Sequence, residues 1–325
     1  MISKDNFIAH ALEEGGWQGK TYGLYWSADA RILYWNKDLF QTAGLDPEQP
    51  PQNWDDFATA MQKLTKTGSD GAIQQLGLNP TYDSVAGHYW EAWFWELGGS
   101  YLSPDGTKVT IADQDGANAL DWMVKQAQVQ GGWNNITTFW KAATSDAGKG
   151  TSRRGWGFGL RKVAMLIEVG DVITTLQQYW PDLHYGLGGI PAAPSTGKHA
   201  SVRGGYFWVI PSKAAHVDDA WNYTEWAFSP DQSLGYNNHY NRIPTTNDVL
   251  NGGKWLPDNP TARKVEQEVV GYSQRIPCIA PGYADILTVN GNIPTPVLEG
   301  KETPQVALQN AQTQIQGILD TALKG

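Results

Sequence analysis

The sequence predicts an α/β fold. Two short apolar runs, Val163-Ala164-Met165-Leu166-Ile167 and Tyr206-Phe207-Trp208-Val209-Ile210, have the length and bulk of buried strands. Stretches with helical spacing separate them, the pattern of layered helices on a sheet. The chain has 325 residues; at about 150 residues per domain it has room for two domains and a large core. Apolar residues are 41% of the chain and glycines number 36, an ordinary globular composition that excludes disorder.

The elements follow in order. Lys20 to Tyr25 reads as a strand. Asn53 is a predicted N-cap, with Asp55 and Asp56 in the first turn where the helix dipole favours negative charge. Trp54, Phe57, Met61 and Leu64 recur at helical spacing, and Gly68 and Gly71 end that helix. Asp113-Gln114-Asp115-Gly116 is too short for a calcium loop and reads as the cap of a second helix. That helix starts near Asp115 and carries Leu120, Met123, Val124 and Ala127 as far as Gly131-Gly132. Residues 144–159, rich in Gly, Ser and Arg, read as a loop. Beside the two strands named above, His184 to Leu187 is another. A helix over 217–228 puts Val217, Ala220, Trp221, Thr224 and Phe228 on one face, and Ser229-Pro230 closes it. The last helix opens at Thr303-Pro304 and buries Leu308, Ala311, Ile315, Ile318, Leu319 and Ala322.

Charge and motifs exclude several functions. Acidic residues outnumber basic ones, 33 to 24, for a net charge of −9. No nucleic-acid partner is expected, because phosphate neutralisation needs a basic face. No apolar run reaches the length of a membrane span, and Met1-Ile2-Ser3-Lys4-Asp5 opens no signal segment. The single cysteine, Cys278, excludes an internal disulfide. Gly19-Lys20-Thr21 resembles the end of a phosphate loop, but Glu14 stands where that loop needs glycine. The six histidines form no pair at zinc-ligand spacing, so neither a metal nor a cofactor is expected. No nucleophile elbow exists. The carboxylates near aromatic clusters, Asp29, Glu91 and Glu96, are candidate acid/base pairs for a glycosidase, although solvated or sugar-binding roles are the simpler reading.

Aromatic residues are the strongest compositional signal: 16 Trp, 14 Tyr and 8 Phe. Core packing accounts for Trp54, Trp93, Trp122 and Trp221. The remaining clusters, beside Asp, Asn, His and Arg, suit a pyranose, whose apolar face stacks on indole and whose hydroxyls bond polar edges. Composition leaves core packing and a sugar site both open.

An ordered series of segments narrows this. It runs Tyr22-Gly23-Leu24, then Tyr34-Trp35-Asn36-Lys37-Asp38-Leu39-Phe40, Ala43-Gly44-Leu45 and Pro51-Gln52-Asn53-Trp54-Asp55-Asp56-Phe57. Further on come Leu97-Gly98-Gly99, Val163-Ala164-Met165 with Gly170, Tyr185-Gly186-Leu187, Gly204-Gly205 and Arg242-Ile243-Pro244. Over nearly the whole chain it resembles the extracellular solute-binding proteins of carbohydrate ABC importers, family 1, of maltose-binding-protein type.

The resemblance implies a periplasmic-binding-protein-like fold of class II: two α/β lobes joined by a hinge, closing on a sugar and then docking on a membrane permease. It implies that residues 26–189 and 246–325 form a complete lobe two. Residues 1–25 and 190–245 would form a remnant of lobe one with the hinge strands, because such proteins carry more chain before the first hinge strand. Carried across by position, the ligand-binding residues are Trp26 and Asp29 after the hinge, and His88, Tyr89 and Trp90 on the lobe-two loop. Asp171 follows, where an aromatic is usual, then Tyr206 and Trp208 on the lobe-one strand, and Arg275 and Tyr283 late in the chain. Periplasmic or extracellular location is implied. An incomplete lobe one leaves sheet edges open, so pairing with a second copy, a homodimer, or segment exchange is expected. The alternatives are a glycoside hydrolase or esterase on the same cleft, or a binding module without a transport role.

Overall fold

The computed structural model describes residues 2–8, 10–79, 89–143, 155–277 and 282–324. Cys278 and residues 144–154 of the expected loop lie outside them; 156–159 form a short helical turn, Trp156–Gly159, rather than loop.

The strands are β1 (Gly16–Trp17), β2 (Lys20–Thr21), β3 (Leu24–Asn36), β4 (Lys66–Thr67), β5 (Ile73–Leu78), β6 (Val163–Val169), β7 (Tyr185–Gly188), β8 (Ser201–Trp208), β9 (Ile243–Pro244) and β10 (Ser273–Gln274). β1 and β2 form a separate hairpin. Its turn puts Gln18 and Gly19 at φ 47° and 76°, the left-handed pair that tight hairpins require. The expected strand over 20–25 is therefore split between β2 and the start of β3.

The described sheet runs β10-β8-β3-β6-β5-β4, with β7 and β9 also paired to β3. β3 organises it. Its first half pairs antiparallel with β8, from Leu24 opposite Trp208 to Ala30 opposite Arg203. Its second half pairs antiparallel with β6, Arg31 opposite Val169 through Trp35 opposite Met165, and with β7. Alternation sends the two faces of β3 to different cores. Leu33 and Trp35 join a core built with helices Trp54–Leu64, Trp90–Leu97, Gln114–Val129 and Pro304–Lys324. Ala28, Ala30, Ile32 and Tyr34 join a second core that includes Phe7, Ile173, Leu176, Ile243, Trp255 and Val269.

Local chemistry explains the helix ends. Asn53 Oδ1 accepts from the Asp55 and Asp56 amides at 3.0 Å, and Asp113 Oδ1 accepts from Gly116 N at 2.8 Å, as the capping pattern predicts. The first of these helices stops at Leu64 rather than at the glycines, because Lys66–Thr67 turns back to pair with β5. Trp54 stacks on Trp122 at 4.7 Å and 5°, and Trp93 stands edge-on to both. These three are the core indoles expected.

Trp221 is not. It is 42% exposed and Val217 is 49% exposed, whereas helix Val217–Ala227 buries Thr224 and Ala227. The apolar stripe is covered only at its C-terminal end, where Thr224 is buried and Phe228 packs on Phe7 at 5.8 Å; no described element buries Val217 or Trp221. Strand β8 also begins and ends earlier than the expected 206–210, because its pairing with β3 stops at Trp208.

Candidate functional site

A cleft of about 320 Å³ opens beside the junction of β3 with β8. β3 supplies Asp29 and Arg31, two residues apart and so on one face. Further along that face Leu33 and Trp35 enter the core, so the strand changes from polar to apolar as it leaves the cleft. β8 supplies Arg203, Gly204, Gly205 and Tyr206. Arg242 stands immediately before β9, and Arg275 and Ile276 follow β10. Glu91, Tyr283 and Leu287 come from helices Trp90–Leu97 and Tyr283–Asn292.

An alternating array of charges fills its centre. Arg31 Nη1 donates to Asp29 Oδ1 at 2.8 Å, and Arg242 Nη1 donates to Asp29 Oδ2 at 2.6 Å. Arg242 Nη2 reaches Asp171 Oδ2 at 2.8 Å and the Tyr206 hydroxyl at 3.3 Å. The Arg242 guanidinium also lies 4.6 Å from the Tyr206 ring centre, and that ring is half exposed. Burial works against the Arg242 charge, but Asp29 and Asp171 outweigh it and hold the group above its ordinary pKa. A second array flanks the first. Arg203 pairs with Glu14 at 2.5 Å, and Arg275 Nε donates to the Tyr283 hydroxyl at 2.9 Å.

The paired glycines permit this closeness. A methyl on Gly204 would stand 2.8 Å from Asp29 Oδ1 and 2.9 Å from Arg31 Nη1. Gly205, at φ 150°, leaves room for the Ser27 carbonyl and the Tyr25 ring, and the Tyr25 hydroxyl donates to the Gly204 carbonyl.

Of the residues expected to bind ligand, Asp29, Tyr206, Arg275 and Tyr283 line the cleft, and Asp171 joins them through Arg242. His88 lies outside the described residues. Tyr89 is buried with the Arg31 guanidinium 5.0 Å from its ring centre, behind the lining. Trp90 is fully buried in the core, where its Nε1 donates to Asn290 Oδ1 at 3.2 Å; it opens a helix instead of standing on a loop. Trp26 packs on Tyr236 at 3.9 Å and on Trp208 at 5.3 Å and does not itself line the cleft. Trp208 shares the face of Tyr206 but sits about 7 Å further along the strand, in a separate apolar pocket with Tyr22 and Trp221.

The aromatic lining expected of the cleft is met only in part among the described residues. No tryptophan lines it among the described residues; four guanidinium groups and two tyrosines do. The sequence reading missed Arg31, Arg203 and Arg242. The polar alternation Ser27, Asp29, Arg31 in an otherwise apolar strand was the signal for Arg31.

Comparison with known proteins adds the following. The family model for bacterial extracellular solute-binding proteins matches residues 2–264. A protein of Brucella abortus (strain 2308), named only as a binding protein, is 24% identical over 318 residues, 97% of this chain and 72% of that one. The solved structure of CpMnBP1 with mannotriose bound superposes with a TM-score of 0.82 at 28% identity, over 96% of this chain and 77% of that one. An ABC transporter solute-binding protein from Thermotoga lettingae, bound with α-D-tagatose, gives 0.79 at 24% identity, over 97% and 76%. The last likeness concerns the fold.

Proposed function

We propose that this chain, which belongs to the bacterial extracellular solute-binding protein family, holds a sugar or oligosaccharide in the cleft and delivers it to an ABC importer in the membrane. One observation carries this: the array Arg31–Asp29–Arg242–Asp171 beside the half-exposed Tyr206 ring. It offers fixed acceptors and donors for vicinal hydroxyls next to a flat apolar face. CpMnBP1, with mannotriose bound, supports the same ligand class.

The division into 26–189 with 246–325 and 1–25 with 190–245 is kept as a proposal. Asp29 and Asp171 belong to the larger part and Arg242 to the smaller, so their ion pairs bridge the two. A ligand that bonds both sides would favour the closed arrangement as a population shift. The ligand-binding set proposed is Asp29, Asp171, Tyr206, Arg275 and Tyr283, with Arg31 and Arg242 added. Location in the periplasm, or outside the cell, accords with the family.

The hydrolase alternative is not favoured. The family is one of solute-binding proteins, both oxygens of Asp29 are engaged by guanidinium groups, and Glu96 lies in the core against Trp54. The exposed aromatic face of Tyr22, Trp221, Tyr223 and Trp226 supports pairing with a second copy or segment exchange, which sedimentation velocity tests.

Titration calorimetry against mannotriose, maltotriose and a panel of monosaccharides tests the function. Saturable binding to at least one saccharide, weakened at least tenfold in Tyr206→Ala, is the expected result. Heats indistinguishable from dilution across the panel would reject it.

A further inference from the structure

The cleft holds one buried carboxyl that the ion-pair array does not use. Glu91 lines the cleft and is 1% exposed. Its Oε1 accepts from the Asn290 amide. The orientation of that amide is fixed, because Asn290 Oδ1 already accepts from Trp90 Nε1 at 3.2 Å and from the Tyr101 hydroxyl at 3.3 Å. The Nδ2 group must therefore face Glu91, and one carboxyl oxygen is held in place. Among the described residues the other oxygen, Oε2, has no hydrogen-bond partner. A buried carboxyl oxygen left unmatched is costly and calls for an occupant.

We propose that Glu91 is a ligand-reading residue: its Oε2 accepts a hydrogen bond from a hydroxyl of the bound saccharide at the floor of the cleft. This rests on the sugar-binding reading above and deepens it. Asn290, from helix Tyr283–Asn292, holds the side chain; Tyr101, from the segment between two helices, fixes that amide, and Arg31, from β3, acts on the carboxyl through its charge. Arg31 is the cation that favours the ionised form, and Tyr101 and the cleft-lining Tyr283 are the other titratable groups on that side.

The same geometry makes affinity depend on pH. Burial raises the Glu91 pKa to about 7, more than its backbone hydrogen bond, the Asn290 amide and the Arg31 charge pull it down. In the free protein the carboxyl is thus largely protonated at pH 6 and ionised at pH 8. A hydroxyl donated to Oε2 favours the ionised form, so saccharide binding releases a proton at pH 6 and tightens as pH rises.

Mannotriose, or whichever saccharide of the panel above binds, is titrated into wild type and Glu91→Gln at pH 5.5, 7 and 8.5. Each titration is repeated in two buffers of different ionisation heat. Glu91→Gln keeps the shape and the acceptor for Asn290 but places an amide where Oε2 stood. The expected result is an affinity at pH 8.5 about tenfold or more weaker in the variant. Wild type should lose affinity from pH 8.5 to 5.5 with proton release near pH 6, and the variant should show neither. Equal affinities and equal pH profiles would overturn the role of Glu91 and leave sugar binding standing. Absence of binding by wild type to every saccharide would remove both. The buffer-dependent heat is read on wild type alone, so a poorly folded variant does not spare the proposal: a wild type that binds without releasing a proton refutes it.

Discussion

Arg242 is the group whose removal should be felt most. Its side chain is 5% exposed and holds Asp29, itself 12% exposed, at 2.6 Å. It also holds Asp171, 22% exposed, at 2.8 Å. Arg242→Met keeps the length of the stem and removes the charge. Removing one partner of a buried pair typically costs about 3–5 kcal/mol, because the other charge is left behind. Two features reduce this here. Asp29 keeps Arg31 at 2.8 Å, and water reaches Asp171. A destabilisation of about 2–4 kcal/mol is therefore expected. Asp29→Asn alone takes the paired carboxylate from Arg31 and leaves Arg242 with Asp171 only, and should cost a similar amount. The double variant removes the opposed charges together, so its loss should fall short of the sum by at least about 1 kcal/mol. Equilibrium urea unfolding, followed by tryptophan fluorescence and far-ultraviolet circular dichroism, measures all four corners of the cycle; superimposable transitions license the comparison. A loss below about 1 kcal/mol for Arg242→Met, or strict additivity, would refute the view that these charges depend on one another.

Three further outcomes follow from other parts of the molecule. Gly204→Ala should weaken saccharide affinity about tenfold or more by calorimetry, since the added methyl pushes Asp29 and Arg31 out of their ion pair; unchanged affinity would show that the array yields without penalty. Glu96 is pushed up to about 9 by burial, against hydrogen bonds from Trp54 and the Ala200 backbone that lower it. The folded state therefore keeps a proton that the unfolded chain releases near 4.5, so this group's contribution is full below that pH and is lost as pH rises towards about 9. Urea midpoints of Glu96→Gln should fall less than those of wild type over that range, and parallel pH curves would contradict this. Asn53→Ala should cost about 1 kcal/mol through loss of the cap to Asp55 and Asp56, read as a shift in urea midpoint without change of slope.

What the sequence disclosed depended on whether the cause was local. The caps at Asn53 and Asp113 and the stripe Leu308, Ala311, Ile315 and Leu319 are set by residues a few positions apart, and they stand in the structure as read. The α/β fold and the solute-binding family were legible too, through an ordered series of segments. Tryptophan number was a poor guide. Trp54, Trp93 and Trp122 pack on one another and Trp90 is spent on Asn290, so an indole near acidic residues in sequence need not face ligand. The cleft cations were harder to see because their partners are distant in the chain. Arg242 meets Asp29 across 213 positions, and Arg203 meets Glu14 across 189. The exposure of Trp221 has the same origin in reverse: the stripe is written in the helix, but whether anything covers it is decided elsewhere in space.

β3 places a constraint on how such a protein can change its taste in ligands. One extended segment lines the cleft at Asp29 and Arg31 and supplies the centre of two interiors at Ile32 to Trp35. Adding or deleting a residue there would invert every side chain beyond it, turning carboxylate and guanidinium into the second core or exchanging Tyr34 and Trp35 between the two. Under the proposed sugar-binding role, new specificities are thus free to arise at Tyr206, Arg275 or Tyr283, outside β3, while the central ribbon stays locked in phase.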